Sequence, residues 1–394
     1  MMKGGGNVAR RRILVIYDYF EPATQAGGPT LSCINLVRFL EPMADLWVLT
    51  GWRDLDGTPL PVQRDRWLPW GARSQVCYAH KGWSMLGVWR ILRQLQPDVL
   101  YLNGVFSPLG TLLPLFLQRW LLPECRVILA PRGMLQSQAL AVKALKKRLY
   151  LQGLLLPLLR RRALTVQATG PAEWADMQRL LPVADPSALV LLGNLPRMGI
   201  ACRVGYRPAA TRSLVTVALI SPMKNILTVL QALAQVQQPM HYHLYGPVKD
   251  APYWQHCLQA AQKLPAHVGF TYHGLCPPAE VPARLAAYDV YVQPSRSENF
   301  GHALFEALMV GLPLVTSYTT PWQQLQHKQA GWNVAGEDVA GLAAILDEAA
   351  QLKPERYAVM AGHARQLAEN YLQQSGLEQG YRQLFQVTMG NAQL

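Results

Sequence analysis

Residues 290–311 read VYVQPSRSENFGHALFEALMVG, and this stretch decides the fold. It begins with a short apolar run, passes through a polar loop that contains Pro294 and Gly301, and ends in a helical pattern from 302 to 310. A strand followed by a loop and a helix is the unit from which parallel α/β sheets are built. The stretch therefore predicts an α/β protein with a functional loop between this strand and this helix.

The same alternation extends to both sides in the second half of the chain. Strands are expected at 214–219, 241–245, 268–272, 290–293 and 314–316. Helices are expected at 226–237, 253–263, 279–287, 302–310, 339–351 and 354–368, with a further helix at 377–386. The order indicates a parallel sheet with helices on both faces.

The first half shows an independent alternation of the same kind. Short apolar runs lie at 12–17, 46–50, 99–103, 126–130, 165–169 and 188–192. Residues 197–212 are rich in Gly, Pro and Arg and have no period, which is typical of an interdomain linker. We predict domains at 1–196 and 213–375, a linker at 197–212, and a C-terminal segment, 376–394, available to pack back on the first domain. Ligands of such sheets bind in the cleft outside the carboxyl ends of the strands.

Length and composition exclude several classes of protein. The chain has 394 residues, of which 50% are hydrophobic and 15% charged, so a disordered protein is excluded. Its closest cysteines, Cys257 and Cys276, are 19 residues apart, which excludes CxxC redox pairs and suits a reducing compartment. The apolar run at 13–16 is too short for a signal peptide, and no stretch reaches the roughly 20 residues of a membrane-spanning helix.

The net charge of +13 lies almost entirely in the first half. Residues 1–200 contain 24 Lys and Arg against 12 Asp and Glu, whereas residues 201–394 contain 13 against 12. Residues 141–162, AVKALKKRLYLQGLLLPLLRRR, form either an ordinary amphipathic helix pair or a surface that attaches to anionic lipid. Nucleic-acid binding is not expected, because no recognition motif is present and leucines stand where stacking aromatic side chains would be needed.

The loop at 298–301 carries the strongest candidate chemistry. Asn299, Phe300 and Gly301 would present backbone N–H groups at a helix N-terminus, which favours anions or sugar oxygens. Glu298 and Glu306, one before the helix and one inside it, suit recognition of a diol by charge-assisted hydrogen bonds. The alternative is that Glu298 caps the helix and Glu306 lies on a solvated face.

At this point the sequence resembles glycosyltransferase family 4, the retaining GT-B sugar-nucleotide transferases, whose signature is Glu, seven residues, Glu. The members that act in bacterial exopolysaccharide and lipopolysaccharide assembly are the most similar. The resemblance rests on ENFGHALFEALMVGLPLV and on segments across both halves, namely LNGVFSP, APRGMLQSQALAVKALKK, ISPMKN, LYGPVKDAPYWQHC, TYHGLCPPAEV, TTPWQQL and AGWNV. It implies a GT-B fold with two Rossmann-like domains facing across a cleft, and a UDP-, GDP- or other nucleoside-diphosphate sugar as donor, without a cofactor.

The resemblance also implies roles for individual residues. Glu298 would contact the donor sugar, Glu306 the nucleotide ribose, and Lys224 the donor diphosphate, so Lys224 and Glu298 are the catalytic candidates. The other donor-binding candidates are Gly27, Gly28, Gly246, Gly274, Asn299, Phe300, Gly301 and His302. For His302 a capping role has equal weight.

Two positions depart from the family or leave alternatives open. Leu219 stands where the family usually has an arginine, so either another base such as Arg296 or Lys249 substitutes, or turnover is weak. Arg132, with Asn103, is expected to contact the acceptor or a phosphate, although a structural ion pair would explain Arg132 as well.

No metal site is predicted. Asp54 and Asp56 resemble a DxD metal motif, but the following Gly57 and Pro59 indicate a turn. His241 and His243 share one face of a strand without a third ligand at metal spacing, which favours a core or edge role.

The sequence therefore predicts a retaining, metal-independent glycosyltransferase of bacterial cell-surface polysaccharide synthesis. Its acceptor would be a lipid-linked saccharide, and its location the cytoplasm, peripherally on the inner face of the plasma membrane. A catalytically impaired homologue, acting as a sugar-nucleotide-binding or scaffold subunit, is the alternative that Leu219 suggests.

Overall fold

The structure, a computed structural model, describes residues 10–80, 83–136, 140, 144–159, 164–181, 188–203 and 211–388. Its contacts divide the chain into unit 1, Met1–Leu195 together with Leu377–Leu394, and unit 2, Pro196–Gly376. Each unit contains its own sheet. The predicted α/β class is thereby confirmed.

Unit 1 is built on an eight-stranded sheet in the order β3-β4-β2-β1-β5-β6-β7-β8. The strands are β1 (Arg11–Ile16), β2 (Ala44–Gly51), β3 (Trp67–Pro69), β4 (Ser74–Ala79), β5 (Val99–Asn103), β6 (Arg126–Ala130), β7 (Leu164–Ala168) and β8 (Leu189–Leu191). Only β3 pairs antiparallel among them. Sequence analysis missed β3 and β4, because a three-residue edge strand and the mixed SQVCYA have no clear apolar period.

The helices of unit 1 pack their apolar faces on this sheet. They are α1 (Gly28–Leu40), α2 (Met85–Leu95), α3 (Leu113–Leu121), α4 (Ala144–Tyr150), α5 (Leu156–Leu159) and α6 (Pro171–Leu180), with π-helical turns at Pro108–Leu112 and Leu151–Leu155. Within the described ranges, no helix of the chain is both long enough and apolar enough to cross a membrane.

Unit 2 is built on a six-stranded, fully parallel sheet in the order β11-β10-β9-β12-β13-β14. Its strands are β9 (Arg212–Val217), β10 (Met240–Tyr245), β11 (Val268–Tyr272), β12 (Val290–Gln293), β13 (Leu314–Ser317) and the unpredicted β14 (Gly331–Val334). Since β9 and β12 are neighbours, the segments that follow them leave the sheet side by side. This adjacency positions the candidate site.

The helices of unit 2 follow the predicted order, with shifted ends. They are α7 (Ile226–Leu233), α8 (Ala251–Ala261), α9 (Val281–Leu285), α10 (His302–Val310), α11 (Val339–Gln351) and α12 (Pro354–Gln374). The helix predicted at 279–287 is a 3-10 turn, Pro278–Glu280, followed by the short α9. The helix predicted to end at 368 continues to Gln374.

The segment between the two sheets and the C-terminal segment both pack on one of the units. In the segment predicted as a linker, 197–212, the described residues pack on unit 2: Ile200 is buried, and Arg203 donates to the carbonyl oxygens of Tyr288 and Gly311. The last helix, α13 (Leu377–Phe385), belongs to unit 1, where the Tyr381 hydroxyl donates to the Gly193 carbonyl oxygen at 2.8 Å.

Candidate functional site

Glu298 lies just after β12, with one carboxylate oxygen held by three side chains. Its Oε1 accepts hydrogen bonds from Lys224 Nζ, from Gln293 Nε2 at 2.8 Å and from Ser295 Oγ at 3.0 Å. Among the described residues no hydrogen bond reaches the other oxygen, Oε2. The structure thus brings together the two predicted catalytic residues, Lys224 and Glu298, and leaves one carboxylate oxygen available.

Lys224 reaches Glu298 because its backbone is anchored to the end of β12. It ends the 3-10 turn Pro222–Lys224, and Asn225 follows in the left-handed region with φ +59°. The Asn225 Nδ2 donates to the carbonyl oxygens of Pro294, at 3.1 Å, and of Gly336. The backbone N–H of Arg296 donates to the Met223 carbonyl oxygen at 2.9 Å. These bonds join the segment after β9 to the segments after β12 and, at Gly336, after β14.

A buried relay behind Glu298 fixes its orientation. The Tyr291 hydroxyl donates to Gln293 Oε1 at 2.6 Å, so the amide Nε2 of Gln293 must face Glu298. Gln293 and Ser295 are both fully buried. Sequence analysis missed both residues, although a glutamine that ends an otherwise apolar strand was a usable signal.

Glu306 lies on α10 and is paired with a residue that the sequence did not single out. The Glu306 side chain is buried, and its Oε1 accepts from Arg197 Nε at 3.0 Å. Arg197 also donates through Nη2 to the Pro278 carbonyl oxygen at 2.8 Å. Burial raises the pKa of Glu306 from 4.5 to about 7, although the Arg197 charge opposes the rise. The solvated-face alternative for Glu306 is wrong.

The ENFGH loop joins the core on one side and α10 on the other. The Phe300 ring is buried against Phe305, Trp322 and Tyr371. The Trp322 Nε1 donates a hydrogen bond to the backbone carbonyl oxygen of Phe300. Gly301 has φ +75° and precedes the first residue of α10. The Phe300 ring therefore anchors the loop. Any contact between Phe300 and a ligand would be made by the backbone of Phe300.

Asn299 and His302 lie on either side of Phe300 and Gly301 in the sequence. The His302 ring is buried and lies 5.0 Å from the Phe300 ring, edge to face, while Asn299 is half-buried. Their predicted contacts with a donor sugar stay predictions.

Gly246 and Gly274 meet where β10 and β11 end. The Gly246 N–H donates to the Gly274 carbonyl oxygen at 2.7 Å. Gly246 has φ +135°, and a Cβ there would overlap the carbonyl oxygen of Ala218, whereas a Cβ at Gly274 would meet nothing. Gly246 is thus required by the close approach of the backbone of Ala218, whatever it contributes to a donor.

Leu219, at the position of the family's arginine, is half-buried next to Ala218. Of the two suggested substitutes, Arg296 pairs with Glu337, its Nη2 lying 3.2 Å from Glu337 Oε1. The backbone N–H of Lys249 donates to the carbonyl oxygen of Ile220, the residue after Leu219. In the described part of the chain, Lys224 is the one cation that contacts Glu298.

Arg132 and Asn103 also lie together, in unit 1. Arg132 is buried in the left-handed region at φ +55°, and its Nε donates to Asn103 Oδ1 at 2.8 Å. Its Nη1 and Nη2 donate to Asn194 Oδ1 and to the Tyr101 hydroxyl. Each nitrogen of the guanidinium is bound by unit 1 itself, which favours a structural role, here with neutral partners rather than an ion pair.

Gly27 and Gly28 open α1 as the sequence indicated. Gly27 has φ +72° and precedes the helix, and Pro29 is its second residue. The predicted contact of this pair with the donor phosphates stays a prediction.

The DxD-like pair forms a turn. Asp54 accepts from the backbone N–H groups of Thr24 and Gln25, and Asp56 from the N–H and hydroxyl of Thr58. Both carboxylates therefore accept hydrogen bonds from other groups of unit 1.

The histidine pair gains a third member that sequence spacing did not show. His241 stacks on His243 at 4.3 Å, and His243 Nδ1 lies 2.9 Å from His273 Nε2. Burial and the two neighbouring imidazoles lower the pKa of His243 to about 4. Across the described ranges, no group of three or more His, Cys, Asp or Glu side chains has a geometry that could hold a metal ion.

Part of the chain is similar in sequence to known glycosyltransferases. Residues 207–367 match the family described as Glycosyl transferases group 1. The protein named "Putative colanic acid biosynthesis glycosyltransferase WcaL", of Escherichia coli K12, is 24% identical over 186 residues. That match covers 45% of this chain and 46% of the relative, so it spans less than half of either protein.

Solved structures match over nearly the whole chain. Anabaena HepE, determined in complex with UDP-glucose, has a TM-score of 0.70 at 16% identity and covers 95% of this chain and 99% of its own. Sucrose-phosphate synthase from Thermosynechococcus elongatus has a TM-score of 0.71 at 18% identity, covering 96% and 100%. WaaG, a glycosyltransferase involved in lipopolysaccharide biosynthesis, has a TM-score of 0.62 at 15% identity, covering 95% and 99%. Residues 207–367, which lie within unit 2, are therefore similar to the Glycosyl transferases group 1 family, and the chain has the GT-B fold.

Proposed function

We propose that the protein is a glycosyltransferase that moves a sugar from a nucleoside-diphosphate sugar to a saccharide acceptor. The observation that carries the proposal is the arrangement of Lys224, Glu298 and Glu306 within the group 1 domain. In each glutamate Oε1 is held by a cation, and no described residue hydrogen-bonds Oε2. Carboxylates held in this way are suited to accept hydrogen bonds from sugar hydroxyls.

The chemistry of the site follows from where charge develops. When the bond between the anomeric carbon and the diphosphate breaks, negative charge moves onto the diphosphate. Lys224 supplies a positive charge, and the N-terminus of α10 supplies the positive end of a helix dipole, so the leaving group is proposed to be stabilised without a metal ion. By its resemblance to the family, the transfer retains the anomeric configuration, with the acceptor attacking the face from which the diphosphate departs.

The donor is proposed to be a nucleotide sugar, with a uridine nucleotide as the first to test. HepE was solved with UDP-glucose, which supports this class. The acceptor is proposed to be a lipid-linked saccharide in the synthesis of a cell-surface polysaccharide, in line with the names of the colanic acid and lipopolysaccharide relatives.

A lipid-linked acceptor would require the protein to work at a membrane, on its cytoplasmic face. In α4 and the turn that follows, Leu145, Leu149 and Leu154 are exposed, and Lys146, Lys147 and Arg148 are interleaved with them. Elsewhere in unit 1, Trp120 on α3 is a further exposed apolar side chain, with 70% of its surface exposed. Apolar side chains beside clustered cations favour binding to anionic lipid. The described part of 141–162 thus supports peripheral attachment.

Vesicle flotation tests this attachment. We expect the protein to float with vesicles that contain an anionic lipid and to stay unbound with zwitterionic ones. Trp120→Glu combined with Leu149→Glu should abolish flotation. Val359→Glu, which replaces an exposed apolar residue of unit 2, is the matched control and should change nothing. Equal flotation of all three proteins would contradict the proposed surface.

A sugar-nucleotide-binding or scaffold subunit is the second candidate, and Leu219 is the observation that favours it. An apolar side chain cannot stabilise a leaving diphosphate, and removing one such contact costs on the order of a hundredfold in rate. Leu219→Arg discriminates the two functions. A large gain in turnover would show that the rest of the site is competent.

Binding and hydrolysis of UDP-, GDP-, ADP- and dTDP-sugars by the purified protein test the proposed function. We expect one donor to bind and react, and Lys224→Met and Glu306→Gln to abolish reaction, while Glu348→Gln, an exposed glutamate of α11, behaves as wild type. If donors bind but none reacts with lipid-linked acceptors present, the scaffold function takes its place. If none binds, both candidates are wrong.

A further inference from the structure

The ion pair between Arg197 and Glu306 has a geometry suited to more than holding two segments together. Glu306 has only 2% of its surface exposed, and Arg197 approaches it through Nε, at 3.0 Å from Oε1. The outer nitrogen Nη2 is engaged by the Pro278 carbonyl oxygen at 2.8 Å. Because the guanidinium is anchored at a second point, it contacts one carboxylate oxygen and does not cover the other.

The charged groups around Glu306 leave Arg197 as its source of positive charge. From α9, Arg284 pairs with Glu280, and from α12, Arg365 pairs with Glu369. Across the described residues, no other cationic side chain forms a hydrogen bond or an ion pair with Glu306.

The titratable groups nearest to Glu306 are neutral or remote from its carboxylate. Burial raises the pKa of the Cys276 thiol, after β11, and of the Tyr291 hydroxyl, on β12, and Glu306 raises both further. Neither group carries a positive charge. His302 lies one turn earlier on α10, with its ring against Phe300.

We infer that Arg197 is a positioning residue that favours the negatively charged form of the Glu306 carboxylate and orients it to accept hydrogen bonds from the ribose of the donor. The inference rests on the proposed function, because it takes Glu306 as a donor-binding residue. It goes beyond that function by assigning the pH range of donor binding to a residue in the segment between the two sheets.

The direction in which removal of Arg197 changes the Glu306 pKa follows from two opposing contributions, burial and the Arg197 charge. Burial favours the neutral acid and raises the pKa of Glu306 to about 7, whereas Arg197 favours the carboxylate. Removing Arg197 leaves burial unopposed, so the pKa rises further and Glu306 is neutral at pH 7. A neutral acid forms weaker hydrogen bonds with ribose hydroxyls than a carboxylate does.

Two measurements on Arg197→Met and Arg197→Lys test the inference. The first follows the titration of Glu306 in the protein without donor, by isotope-edited infrared spectroscopy, with Glu306→Gln to assign the band. The second measures by calorimetry, from pH 6.5 to 9, the affinity for whichever of UDP, GDP, ADP and dTDP the wild type binds most tightly. Arg365→Met is the matched control, because Arg365 also pairs with a glutamate and donates to a carbonyl oxygen, that of Met309.

We expect Arg197→Met to shift the Glu306 titration to higher pH and to weaken binding at pH 7 by about fivefold, the change in ionised fraction at pH 7 when the pKa rises by one unit from about 7. At pH 9 its affinity should approach that of the wild type. Arg197→Lys should lie between the two proteins, and Arg365→Met should match the wild type at every pH.

Other outcomes would overturn the inference, each in a recognisable way. A titration that does not move shows that Arg197 does not control the charge of Glu306. A titration that moves while the loss of affinity is the same at all pH values shows a structural role for Arg197. If the titration moves but the wild type binds no nucleotide, the proposed function has failed, and the assigned role in donor binding fails with it.

Discussion

Replacing Glu306 by glutamine is expected to stabilise unit 2 at pH 8 and to have little effect at pH 5. The side chain is buried on α10 and carries a negative charge only at a cost. Glutamine has nearly the same shape and retains an oxygen that can accept the Arg197 hydrogen bond. The substitution therefore removes the charge with little change in packing.

The size of the expected stabilisation follows from the pKa shift of the Glu306 carboxyl group. Burial raises the pKa of Glu306 from 4.5 to about 7, with Arg197 already acting in the opposite direction. At about 1.4 kcal/mol per pKa unit, ionised Glu306 costs the folded state about 3 kcal/mol. The folded protein binds this proton more tightly than the unfolded chain does, so stability falls as pH rises from 4.5 to 7 and is constant above.

The assay is equilibrium urea unfolding of wild type and Glu306→Gln at pH 8 and at pH 5. Hydrogen exchange of peptides from α10 assigns the transition to unit 2. We expect a gain of about 1–3 kcal/mol at pH 8, the lower end allowing for a weaker hydrogen bond between Arg197 and the amide, and less than about 1 kcal/mol at pH 5. Glu348→Gln, the exposed control, should stay within about 0.5 kcal/mol at both pH values.

A variant that is less stable than wild type at pH 8 would refute this reasoning, because the pair with Arg197 would then outweigh the cost of burial. An equal gain at both pH values would also refute it. In that case the effect would come from packing and not from the charge.

Three further substitutions test other parts of the structure. Gly246→Ala should lower the stability of unit 2 by more than about 3 kcal/mol, because its Cβ would overlap the Ala218 carbonyl oxygen, whereas Gly274→Ala, in open space, should cost only about 1–2 kcal/mol in thermal unfolding. Asn225→Asp should destabilise unit 2 and lower donor turnover together, because an anionic oxygen would face two carbonyl oxygens; unchanged turnover would show that Lys224 is positioned without Asn225. Tyr381→Phe should cost unit 1 about 1–3 kcal/mol in urea unfolding, because the Gly193 carbonyl oxygen loses its donor.

Much of the fold could be predicted from local patterns of apolar residues in the sequence. The runs at 99–103, 126–130, 268–272 and 290–293 coincide with β5, β6, β11 and β12, and the helix at 302–310 coincides with α10. Apart from β11, which is partly buried at a sheet edge, these segments are mostly buried and carry a largely apolar run or a clear helical period, so burial and periodicity agree. The strands that were missed, β3, β4 and β14, are short or mixed in sequence and lie at or beside a sheet edge.

The candidate site could be predicted only where its residues lie in sequence motifs that resemble those of the family. Lys224, Glu298 and Glu306 were named from the sequence, with the resemblance supplying their roles. Arg197 was read as part of a linker, and its pairing with Glu306 joins residues that are 109 positions apart. No local pattern encodes such a contact, since it depends on how the chain after Pro196 returns to the sheet.

The sequence by itself determined most of the order of strands and helices, the loop that opens α10, and the glutamate pair with seven residues between its members, because each depends on neighbours along the chain. Only the tertiary structure decided what those side chains contact. The parallel pairing of β9 with β12 brings Lys224 to Glu298, and the packing around α10 excludes water from Glu306. Charge and hydrogen bonding at such a site depend on burial, which the whole fold sets.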